Sequence, residues 1–284
     1  MSTCRTDTLA GRFLLVPVLF VAMLTLWIVV FLSVESWPAL SSIGTGFLSS
    51  DQGWYPASGE YNLWPMVLAT LALGAGSLAI ALVFGVAIAV FSCYYAPRWL
   101  SRAVSTVLEL LAGIPTVIYG LWGLVFLVPA IASIGGPGAS LLAGIVVLSM
   151  MILPTVAVLS EQALRQVPSQ YHIAGLSLGL RKTTIVFSIL LRVARPSIIS
   201  AALLAFARAV GETMVVLMVC GNAVNVPDSL LISVRALTAN IALEMPYAMD
   251  AHRAALYVSG LLLIVMVIVL VAINHMQHWS RRDA

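Results

Sequence analysis

Charge is scarce in this chain: 9% of its 284 residues are Asp, Glu, Lys or Arg, and Lys182 is the one lysine. A water-facing domain carries about 25% charged residues, so the chain cannot clothe an ordinary solvated surface. A P-loop needs a Gly-Lys-Ser/Thr core to cradle nucleotide phosphates, and the single lysine follows Arg181. No nucleotide cofactor is therefore expected on this chain. Cysteine is thin too: Cys4, Cys93 and Cys220 lie far apart without a CxxC spacing, and the four histidines are scattered. Neither a disulfide framework nor a metal site is expected, and no nucleic-acid partner.

Apolar residues make up 61% of the chain, at a mean hydropathy of +1.06. A helix needs about 20 apolar residues to cross the hydrocarbon core. Six stretches qualify: residues 13–34, 65–95, 104–132, 139–160, 197–221 and 255–275. The expected fold is an all-α membrane protein, one polytopic bundle of six transmembrane helices over residues 13–275, with tails at 1–12 and 276–284. The first apolar run, about 22 residues, exceeds a signal peptide's h-region of 7–15. No A-x-A site follows it, so it is expected to stay as an anchor.

Cations set the orientation. Arg5 and Arg12 precede the first span, Arg98 and Arg102 join the second and third, and Arg281 and Arg282 follow the sixth. Arg165, Arg181, Lys182, Arg192 and Arg195 join the fourth and fifth, leaving Arg235 and Arg253 on the other face. The positive-inside rule puts both termini and the loop 161–196 in the cytoplasm, with outer loops at 35–64 and 222–254. Glu35, Asp51, Glu60, Asp228, Glu244 and Asp250 then lie outside.

Three extramembrane segments carry patterns. The loop 35–64 holds Trp37, Trp54, Tyr55, Tyr61 and Trp64, either an interfacial belt or a docking surface for a soluble partner. In 222–254, Asp228 and Pro246 bracket an expected helix 228–245, with Leu230, Val234, Leu237, Ile241 and Met245 on one face. It is either a packed surface helix or the wall of an outward vestibule. In the cytoplasmic loop, Ser169 after Pro168 is expected to cap a short helix that Gly179 ends. Its apolar set of Ile173, Leu176 and Leu180 must bury against the chain's own spans, lipid or a groove on a partner.

Arg208 and Glu212 lie in the middle of the fifth apolar stretch, and their i, i+4 spacing puts both on one face of a continuous helix. From Ser197, Arg208 is roughly 16 Å along the helix axis, near half of a hydrocarbon core of about 30 Å. A charge at that depth costs roughly 2.5–3.5 kcal/mol and marks a functional site by default. The pair is either a satisfied ion pair that fixes packing or the polar lining of a conduit. Glu109, near the cytoplasmic end of the third span, serves packing, coupling or cargo contact; Pro115 and Pro154 are expected to kink their helices.

The cytoplasmic loop resembles the coupling loop of ABC-transporter permeases, a Glu-Ala-Ala, three residues, then Gly. Those positions are Ile173, Ala174, Gly175 and Gly179 here; Leu191-Arg192 stands at the later Leu-Pro, although Pro196 follows with the family's spacing. Leu108-Glu-Leu-Leu-Ala-Gly-Ile-Pro-Thr-Val-Ile-Tyr-Gly-Leu-Trp-Gly123 and Arg208-Ala-Val-Gly-Glu-Thr-Met-Val-Val-Leu-Met-Val-Cys-Gly-Asn222 are similar to the third- and fifth-span motifs of phosphate-transporter permeases. Leu237-Thr-Ala-Asn-Ile-Ala-Leu-Glu-Met245 resembles the outer-loop motif of the PstC type.

That resemblance implies a type I ABC importer permease fold in a bacterial inner membrane and a role in inorganic phosphate uptake. It implies a second, PstA-type permease, two copies of a cytoplasmic ATPase that bind ATP and Mg, and an extracytoplasmic phosphate-binding protein. It places cargo on Arg208 and Glu212 and ATPase coupling on Ile173, Ala174, Gly175, Leu176 and Gly179. The rivals are a permease for another oxyanion (sulfate, molybdate or phosphonate), a self-sufficient secondary anion transporter or channel with Glu212 as proton relay, and a non-transporting scaffold.

Overall fold

Backbone amides in hydrocarbon have no water to pair with, so apolar runs close their hydrogen bonds internally as helices. A computed structural model describes residues 3–48 and 53–279. Helix α1 (Thr3–Ile43) leads through a short 3-10 turn to a two-residue hairpin, β1 (Trp54–Tyr55) and β2 (Glu60–Tyr61). Then follow α2 (Trp64–Val90), α3 (Arg98–Gly113), α4 (Thr116–Trp122), α5 (Val128–Ile134) and α6 (Leu141–Arg165). The chain closes with α7 (Ser169–Ser177), α8 (Lys182–Thr184), α9 (Leu191–Val210), α10 (Met214–Val219), α11 (Leu237–Glu244) and α12 (Asp250–Trp279). Among the described residues, six helical segments are long and apolar enough to cross a bilayer: Leu15–Ser42, Trp64–Tyr95, Thr116–Ile134, Leu141–Arg165, Lys182–Val210 and Asp250–Asn274.

The bundle is built around α2, α6 and α9. Apolar helices in lipid gain little from burial against each other, so small residues that allow close approach decide the packing. Gly74 meets Phe206 and Val210, Gly85 meets Val156, and a methyl group on Gly76 would stand 2.6 Å from Ile145 Cδ1. Helix α1 packs along α12 instead. At the hairpin end the two are joined by a cluster that includes Ala39, Phe47, Trp54, Tyr61, Leu63 and Leu256.

Several boundaries differ from the sequence reading. Helix α1 starts at Thr3 and runs to Ile43, so residues 3–12 of the expected tail and the first part of the 35–64 loop are helical. The expected third span is not one helix: Ile114 is extended (φ −68°, ψ 128°) ahead of Pro115, and the chain breaks between α3 and α4. Proline disfavours helical backbone at the residue before it, so the crossing segment begins at Thr116. Pro154, by contrast, sits inside the unbroken α6. The helical run that carries the expected fifth span starts at Lys182 rather than Ser197, breaks after Val210 and resumes as α10.

The expected helix 228–245 forms only over Leu237–Glu244. The residues before it serve another helix: the carbonyls of Ile232 and Leu230 accept the N–H groups of Leu141 and Leu142 at 2.9 and 2.8 Å, and Val219 accepts that of Ser140. These are amides at the start of α6, which have no partner within their own helix. Of the five loop aromatics, Trp54 and Tyr61 are buried while Trp37 and Tyr55 are exposed. Arg281, Arg282 and Asp51 lie outside the described residues, as do the side chains of Cys4, Arg5 and Arg12.

Candidate functional site

Arg208 occupies the last turn of α9. Its Nη1 donates a long hydrogen bond, 3.5 Å, to Thr155 Oγ1. Thr155 lies near the middle of the 25-residue α6, so the guanidinium stands at mid-depth in the bundle. It is exposed on the surface of the isolated chain. The Tyr119 hydroxyl lies within electrostatic range of it and donates to the Leu111 carbonyl at 2.8 Å.

Glu212 is not on the same helix face, because the helix stops between the two residues. The Gly211 and Glu212 N–H groups bond back to Ala207 and Ala209, and the chain turns into α10. Glu212 Oε1 accepts the N–H groups of Met214 at 3.2 Å and Val215 at 3.3 Å. Those are orphan amides at a helix start, where a carboxylate is favoured. Thr238 Oγ1 donates to the Glu212 carbonyl at 2.8 Å and ties α11 to this break. Of the two readings of the pair, the satisfied ion pair does not form, and among the described residues no carboxylate pairs with Arg208.

Towards the α7 end, a groove of about 370 Å³ opens between α6, α9 and α12. Gln162, Gln166, Ser197, Ser200 and Asn274 line it, and Leu204 caps it one turn below Arg208. Thr155, Leu159, Gln162 and Gln166 follow one another at helical spacing along α6. The lining carries no charged residue and mixes the five polar side chains with Leu159, Ala163, Ala201 and Leu204; Ser200 Oγ donates to Asn274 Oδ1 at 2.8 Å.

Helix α7 presents the expected coupling residues in two sets. Ile173 and Leu176 are 60% and 55% exposed, and Ala174 is exposed beside them. Gly175 is buried: a methyl group there would lie 2.8 Å from Ile185 Cγ1. Gly179 takes a φ of +70° that favours glycine, and its N–H closes the helix on Leu176 at 2.9 Å. Leu180 packs into the chain's own cluster around Ile185 and Val186. Ser169 is the first helical residue and caps nothing; Pro168 holds the cap position.

Glu109 stands exposed on α3, ahead of the crossing helix, and Pro115 marks the break that follows. Two polar clusters escaped the sequence reading. Glu161 Oε1 accepts from Arg165 at 2.6 Å and from Ser92 at 3.3 Å, tying α6 to the end of the second span near α7. Their i, i+4 spacing was a usable signal. At the opposite end, Glu244 pairs with Arg235 and accepts from His252 and Trp54, each at 2.8 Å. Trp54 and Glu244 are 190 positions apart, so no local pattern predicts their contact.

The chain is similar to known transport proteins in sequence and in fold. The chain is 37% identical over 226 residues to the probable ABC transporter permease protein YqgH of Bacillus subtilis, covering 78% of this chain and 73% of that protein. It is 32% identical to the phosphate transport system permease protein PstC of Xylella fastidiosa, over 91% of this chain and 84% of that protein. The PstC of Mesorhizobium japonicum is also 32% identical, over 84% and 79%. Among solved structures, a chain of the inward-facing MetNI methionine ABC transporter superposes with a TM-score of 0.61 at 24% identity, over 75% of this chain and 94% of that one. The match of residues 81–282 to the binding-protein-dependent transport system inner membrane components, together with these relatives, shows that the chain belongs to that family of ABC-transporter permeases.

Proposed function

We propose that this permease carries inorganic phosphate as one half of the translocation path of an ATP-driven importer. The observation that carries the reading is Arg208: a guanidinium at mid-depth, without a carboxylate partner among the described residues, above a neutral polar groove. A guanidinium matches phosphate oxygens with planar paired donors and keeps its charge at any depth. Glu212 spends only Oε1 on the α10 amides, leaving Oε2 to accept the P–OH proton that phosphate carries and sulfate lacks.

The path is completed by a second permease of the PstA type. Two ATPase subunits sit beneath the pair of permeases and bind ATP and Mg, and one of them seats on Ile173, Ala174 and Leu176 of α7. A phosphate-binding protein delivers cargo at the hairpin end, on the outside, while both termini face the cytoplasm. ATP binding draws α7 with the ATPases and opens the path outward; hydrolysis resets it.

The test is uptake of labelled phosphate by the complete complex in proteoliposomes with the binding protein supplied. Uptake is expected only with ATP, and Arg208→Gln should lower it roughly 10- to 100-fold, the range for a lost charged hydrogen bond. Sulfate or molybdate displacing phosphate would reassign the cargo. Proton-driven uptake by this chain alone would replace the ATP-coupled reading with a secondary transporter.

A further inference from the structure

We propose that the groove between α2 and α9 is a binding site for one anionic phospholipid. It encloses about 520 Å³, and its walls are Leu82, Val83 and Val86 from α2 facing Phe187, Leu191 and Ile198. Arg192 and Arg195 stand at its edge. Both are exposed, and among the described residues neither is paired with a carboxylate.

Depth fits a lipid. With Arg208 at mid-bilayer, Arg195 lies about 20 Å further along the helix at 1.5 Å per residue, beyond a half-core of about 15 Å. The two guanidinium groups therefore sit at headgroup level, and the α2 wall, whose Gly85 meets Val156 beside Thr155, reaches from there into the acyl region. A free phosphate would gain nothing from those walls. A zwitterionic lipid would fill them but leave two cations without a net counter-charge, whereas an anionic phosphodiester satisfies both parts. The groove residues of α9 lie roughly 80° to 180° around the helix from Arg208, given 3.6 residues per turn, so the groove is separate from the cargo groove.

The test is native mass spectrometry of the complete complex, exchanged into equal amounts of phosphatidylglycerol and phosphatidylcholine with identical acyl chains. Each basic side chain near an anionic surface is worth about fivefold in partitioning. Wild type should therefore retain phosphatidylglycerol by roughly 5- to 25-fold. Arg192→Gln with Arg195→Gln should bring the two lipids to parity, while Arg102→Gln, outside the groove, should leave the preference intact. Val83→Trp fills the groove without touching either charge and should expel the lipid; it serves should the double variant fail to assemble. Equal retention by wild type would overturn the proposal. So would a preference that survives Val83→Trp or the double Gln variant, displacement of the lipid by millimolar inorganic phosphate, or a cross-link from Val83→Cys to the second permease.

Discussion

At residue scale, Arg208 was legible because a charge inside a long apolar run needs a reason, and its depth can also be argued by a different route. The expected measure was distance from Ser197; the structure instead supplies contact with Thr155 at mid-α6. The partnership with Glu212 was not legible. An i, i+4 rule assumes an unbroken helix, and the break at Gly211–Thr213 hands the carboxylate to two backbone amides. This separates the roles of the two residues. A neutral Gln at 212 still accepts the α10 amides through its one oxygen but then offers the phosphate hydroxyl only an N–H donor. Glu212→Gln is therefore expected to leave complex yield unchanged and to lower phosphate uptake only severalfold, far less than Arg208→Gln. Sulfate should become a better competitor in the same uptake assay. If sulfate competition stays as in wild type, Glu212 is a helix cap with no part in selecting cargo.

At the scale of elements, most helices were readable from apolar length and most boundaries were not. Apolar runs do not record where distant amides find partners. The segment ahead of α11 stays irregular because Leu230 and Ile232 complete the hydrogen bonds of α6, nearly a hundred residues earlier in sequence. Pro115 was readable as a bend but acts as a full break, since Ile114 ahead of it turns extended. Helix α7 shows where pattern and structure agree only in part: of the apolar set, Leu180 is packed by the chain itself, while Ile173 and Leu176 face outward. The two faces predict opposite phenotypes. Ile173→Ser with Leu176→Ser removes exposed apolar contacts, so the thermal midpoint of this permease should barely move while the ATPase is lost on purification. Gly175→Ala forces a methyl group against buried Ile185, and overpacking of that kind costs about 1–3 kcal/mol. It should lower the thermal midpoint and weaken ATPase retention together. Retention of the ATPase by the double Ser variant would remove α7's outer face from the coupling contact.

For the whole molecule, the asymmetry of charge carries more than any single contact. The end that bears α7 also gathers Arg98, Arg102, Arg165, Arg181, Lys182, Arg192 and Arg195, while the hairpin end carries Glu35, Glu60, Asp228, Glu244 and Asp250. Cations resist translocation, so the α7 end is expected in the cytoplasm. The same orientation is needed if exposed Ile173 and Leu176 are to reach an ATPase and if the hairpin is to meet a periplasmic protein. Cysteine accessibility tests all of this at once. Cys93 is half-buried and Cys220 buried, so replacing them with Ser and Ala, and Cys4 with Ser, gives a clean background. In it, Ser58→Cys at the hairpin should react with a membrane-impermeant maleimide in intact spheroplasts, and Ser177→Cys at the end of α7 only in inverted vesicles. Both positions are exposed, so a failure to label cannot be put down to burial within this chain. The reverse pattern would set α7 outside, away from ATP, and the importer reading would fall with it.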